Sequence, residues 1–70
     1  MEEVTEEIYE LVKKKMSEQG AYDRDSFRLF IDETIVYFHE KGKLTDNDNE
    51  KFIVDQLMQR WEFAKEDLSY

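Results

Sequence analysis

Seventy residues with 18 acidic and 10 basic side chains, no cysteine and no proline make one small acidic domain. That length leaves little interior to build with, and the missing cysteines exclude disulfides and thiolate metal sites. A net charge of −8 repels nucleic-acid phosphates and anionic membrane surfaces.

The chain opens Met1-Glu2-Glu3-Val4, without the apolar stretch of a secretory signal. Its longest apolar run, Ile35-Val36-Tyr37-Phe38, is far too short to span a bilayer. The expectation is a cytoplasmic protein with no membrane contact. Any core must come from helix packing, for which ten aromatic residues supply bulk. The two glycines, Gly20 and Gly42, each follow a stretch of helical periodicity and divide the chain into three segments.

The first segment spans about 2–19. Val4, Ile8, Leu11 and Val12 fall at i, i+4, i+7 and i+8, one helical face, with Tyr9 and Met16 beside it. Five glutamates open the segment and Lys13-Lys14-Lys15 follow, an order that complements the helix dipole. Glu10 and Lys14 are spaced as an i, i+4 ion pair. Gly20 fits the left-handed position just past the helix.

The second segment spans about 24–41. Asp23 is a good N-cap, and Tyr22 with Phe27 matches a hydrophobic staple. Phe27, Phe30, Ile31, Thr34, Ile35 and Phe38 form the main stripe. Leu29 and Val36, seven apart, lie on the opposite side, with Tyr37 on a flank.

The third segment spans about 46–67. Thr45 with Asp48, or Asn47 with Glu50, supplies a capping box. Ile53, Leu57, Trp61, Ala64 and Leu68 form its stripe, Trp61 at the centre, with Val54 and Met58 alongside. Phe52 and Phe63 fall together on the far side, with Gln56 and Gln59 between them. The short links make neighbouring helices antiparallel. The predicted fold is all-α: one domain over 1–70, an up-down-up three-helix bundle.

Candidate chemistry is sparse. Asp46-Asn47-Asp48-Asn49-Glu50 starts like a calcium loop, but Lys51 and Leu57 stand where glycine and a bidentate glutamate are required. Helix capping accounts for the same residues. His39 is the one histidine, near a helix C-terminus where it complements the dipole, with Glu33 and Glu40 close in sequence. A carboxylate di-iron site needs Glu-x-x-His pairs on facing helices, and the chain has none. Neither a catalytic residue, a cofactor site nor a metal site is assigned, and the chain is not expected to be an enzyme.

Asp25-Ser26-Phe27 resembles the Asp-Ser-Leu site of acyl carrier proteins. The resemblance implies a phosphopantetheine on Ser26, at the start of a helix in a small acidic helical domain. Arg24 stands where carrier proteins have glycine, and the link from Gly20 is short where theirs is long. The main reading is that Ser26 is an ordinary first-turn residue, and an acyl-carrier-like domain modified at Ser26 is the alternative. The third segment is too acidic for a DNA-recognition helix, and direct nucleic-acid binding is not expected. Mimicry of a nucleic acid by the acidic surface is a second alternative.

The aromatic surplus is the most useful pointer to function. Leu29, Val36, Tyr37, Phe52 and Phe63 fall off the faces that fill one shared interior. Interfaces favour such residues at their centres. They are the candidate interface of a small interaction or regulatory module that binds a protein partner or a second copy of itself.

Overall fold

A computed structural model describes residues 2–45 and 49–68. All regular structure among them is helical: α1 Glu2–Gln19, α2 Arg24–Glu40, α3 Glu50–Gln59 and α4 Trp61–Leu68. The predicted third helix is therefore two helices, divided at Arg60.

Both glycines end helices as their backbone freedom suggests. Gly20 has φ +67° and Gly42 φ +74°. After α1 the Ala21 amide donates to the Met16 carbonyl at 3.0 Å, and after α2 the Lys43 amide donates to the Phe38 carbonyl at 2.9 Å. These wrapped ends satisfy carbonyls that the helices would otherwise leave bare. Leu44 then turns inward and is buried, although it lies outside every predicted stripe.

The caps at the helix starts are equally specific. The Asp23 carboxylate accepts from the Ser26 amide at 3.3 Å, and the Asn49 side chain accepts from the Phe52 amide at 3.0 Å. Asn49 thus caps α3. The expected boxes at Thr45–Asp48 and Asn47–Glu50, like the calcium-loop start at Asp46, involve residues outside those described.

Arg60 marks a tightened turn. Its amide donates to the Leu57 carbonyl at 3.0 Å, an i to i−3 bond, while its own carbonyl accepts from the Ala64 amide at 2.9 Å. Neither glycine nor proline is involved. The Arg60 side chain instead lies 5.0 Å over the Tyr9 ring and pairs with Glu6 at 2.5 Å.

The core is filled by Ile8, Val12 and Met16 of α1, Phe27, Ile31 and Phe38 of α2, and Ile53 and Leu57 of α3, all fully buried. Thr34 is buried too, and its hydroxyl donates to the Phe30 carbonyl at 2.7 Å, so no polar group is stranded there. Trp61 is only half-buried, packed on Phe27 with ring centroids 5.2 Å apart. Leu11, expected on the α1 core stripe, is 42 % exposed.

Ion pairs tie the helices together. Glu6 meets Arg60 and, seven residues further along each limb, Lys13 meets Asp67 at 3.0 Å. Glu7 pairs with Lys43 beyond the end of α2, and Lys15 with Glu33 within it. Glu10 pairs with Lys13 at 3.7 Å rather than with Lys14. The lysines also lie short of the last turn of α1, which holds no base, so they complement the dipole less than expected.

Candidate interaction surface

The interior of α2 decides what its outside presents. With Phe27, Phe30, Ile31, Thr34, Ile35 and Phe38 turned inward, the seven-residue spacing leaves Leu29 and Val36 on the opposite face. Leu29 is 55 % and Val36 57 % exposed, Tyr37 50 %, Phe52 49 % and Phe63 68 %. All five sequence candidates are thus on the surface.

Three of them border different grooves. Leu29 and Val36 share the outer stripe of α2, and Val36 borders a groove of about 460 Å³ toward α3 that also touches Ile35 and Val54. Tyr37 borders a different groove, of about 410 Å³, between α1 and α2. Leu11 lines that groove as well, and Lys41 lies over the Tyr37 ring at 5.6 Å. Phe63 stands at a groove of about 970 Å³, with Glu3, Glu6, Glu7, Gln56, Gln59 and Arg60. Phe52 sits in the first turn of α3, its amide fixed by the Asn49 cap.

Sequence reasoning missed Leu11 as a surface residue, because its spacing fits the α1 stripe and only the seating of the helix turns it outward. It also missed the place of Arg60 in the groove beside Phe63, since that depends on the break between α3 and α4.

The charges around these grooves are largely compensated on α1. The hydrogen bond from Arg60 holds the Glu6 carboxyl below the ordinary carboxylate range, and the same bond raises Arg60. Lys13 is pulled down by burial, but its hydrogen bond to Asp67 and the nearby Tyr9 and Glu10 leave it raised overall. Burial raises the Tyr9 phenol, whose ring carries Lys13 at 4.4 Å as well as Arg60.

The remaining candidates have local roles. The Ser26 hydroxyl donates to the Asp23 carboxylate at 2.6 Å, a contact that lowers the Asp23 pKa and braces the cap. His39 meets Glu50, a residue far from it in sequence, and so links the end of α2 to the start of α3. Among the described residues no cluster of three or more His, Asp or Glu could hold a metal ion, and no helix is long and apolar enough to cross a membrane. No family model matches the chain, nor does any curated protein or solved structure.

Proposed function

We propose that this chain is a small, acidic, cytoplasmic interaction module. It works by presenting apolar and aromatic side chains of its helices to a protein partner or to a second copy of itself. One observation carries the reading: five large apolar residues stand about half exposed or more, around a core that is filled without them. Apolar surface beyond what a core needs marks interaction sites. The net charge of −8 favours basic partner surfaces and disfavours direct nucleic-acid binding. The ion pairs Glu7–Lys43, Glu6–Arg60 and Lys13–Asp67 support the expected up-down-up course, with the third limb broken at Arg60.

Capture from native extract tests the proposal. Immobilised wild type should retain proteins that a folded variant with Leu29, Val36, Tyr37, Phe52 and Phe63 all changed to serine does not. Identical retention by the two would remove the apolar surface from the function.

A further inference from the structure

We propose that the outer stripe of α2 docks a basic amphipathic helix of another protein, one with apolar residues seven apart and lysine or arginine around them. The inference rests on the interaction reading above and names the partner's chemistry.

The stripe alternates. Asp25, Leu29, the pair Asp32 and Glu33, Val36 and Glu40 follow one another at helical spacing along the exposed back of α2. Acid, apolar, acid, apolar, acid is thus repeated over about 22 Å of helix. A partner helix laid along it meets two apolar anchors, each flanked by carboxylates.

Charge decides what that partner is. On α1 the exposed acids Glu6, Glu7 and Glu10 already hold Arg60, Lys43 and Lys13, while Glu3 and Glu18 form no ion pair among the described residues. On the stripe, Asp32 holds Arg28 at 3.3 Å and Glu33 has Lys15 at 3.9 Å. Asp25 and Glu40, at its two ends, form no ion pair among the described residues. Glu40 moreover ends α2, where a negative charge opposes the helix dipole. A cation from a partner finds a free carboxylate at each end and, at Glu40, also offsets the unfavourable dipole.

The same pattern disfavours a second copy. If two α2 stripes packed antiparallel, Leu29 would face Val36 of the other copy, but Asp25 would face Glu40. The central Asp32 and Glu33 would face each other. Parallel packing sets each acid against itself. Like charges brought together in this way oppose association. A helix with bases at those positions keeps the apolar fit and reverses the sign of every charged contact.

The test uses an amidated helical peptide of about 16 residues, matching the stripe. It carries leucines seven apart and lysines before, between and after them; a second peptide has glutamate for each lysine. By calorimetry the lysine peptide binds the full chain, more weakly as salt rises from about 50 to about 500 mM, and the glutamate peptide does not. Leu29→Glu/Val36→Glu weakens binding by about tenfold or more, as does Asp25→Lys/Glu40→Lys. Phe52→Ser/Phe63→Ser binds as wild type does. Should the first variant unfold, Asp25→Lys/Glu40→Lys, at exposed positions, carries the test alone.

Absence of lysine-peptide binding, or binding indifferent to both stripe variants, overturns the inference. A wild-type dimer that Leu29→Glu/Val36→Glu dissociates assigns the stripe to a second copy and also overturns it. Either result leaves the interaction reading standing if capture from extract still depends on the five apolar residues; if that dependence is missing too, both fall.

Discussion

Arg60 meets Glu6 at 2.5 Å from the one residue that separates α3 from α4. From the same position its guanidinium covers the Tyr9 ring at 5.0 Å. The turn that breaks the third limb is thus also the point at which that limb is fastened to α1. An exposed ion pair alone contributes little, but a cation over a buried ring adds to it, as does packing of the arginine stem.

Arg60→Ala should therefore destabilise the chain by about 1 kcal/mol, and Glu6→Gln clearly less. Urea denaturation measures both. Equal losses would mean that the contact with Tyr9 contributes nothing.

Phe27 and Trp61 are unequal partners in their ring contact. Phe27 is fully buried, so Phe27→Ala should lose about 3–5 kcal/mol, enough to unfold most domains of this size. Trp61 is half-buried and should lose clearly less on change to alanine. Its fluorescence should be quenched by iodide to an intermediate degree. Full protection, or a loss as great as that of Phe27→Ala, would place Trp61 inside the core.

Gly20 and Gly42 have open space where a Cβ would stand, so only their left-handed backbone penalises substitution. Gly20→Ala and Gly42→Ala should each cost about 1–2 kcal/mol, and asparagine less. Thermal melts that leave either alanine variant unchanged would show that its helix end unwraps without loss.

Acid should act through Glu6 and Asp23. Both carboxyls are held below the ordinary range, by the Arg60 and Ser26 hydrogen bonds respectively, so they bind protons more weakly folded than unfolded. Their contribution is complete above the unfolded carboxylate range and is lost as pH falls through the lowered folded values, below about pH 4. Glu6→Gln/Asp23→Asn retains the cap and removes both titrations. Its melting temperature should fall less steeply than that of wild type below about pH 4. Parallel acid limbs would contradict this assignment.

Much of this architecture is legible in the chain because it is local. The start of α1, the Asp23 cap, both glycine ends and the inward face of α2 follow from spacing and backbone preference. What escapes is tertiary. Arg60 breaks a periodic segment with no glycine or proline to announce it, and its partners Glu6 and Tyr9 are more than fifty residues away. Leu44 is buried because the turn after Gly42 folds it back, not because it belongs to a stripe. Leu11 and Trp61 sit at the edges of their faces, where a small rotation of the helix decides exposure. The five surface candidates were readable from the surplus of apolar residues, but that Val36, Tyr37 and Phe63 border three different grooves was not.

On the proposed function, the outer apolar face of α2 serves association and not the core. Fluorescence-detected sedimentation of labelled chain in native extract tests it most directly, comparing wild type with Leu29→Glu/Val36→Glu after circular dichroism has established that the variant is folded. Wild type should sediment as a larger species and the variant as the 8.6 kDa monomer. A wild type that sediments as the monomer, or a folded variant that sediments with wild type, would overturn it.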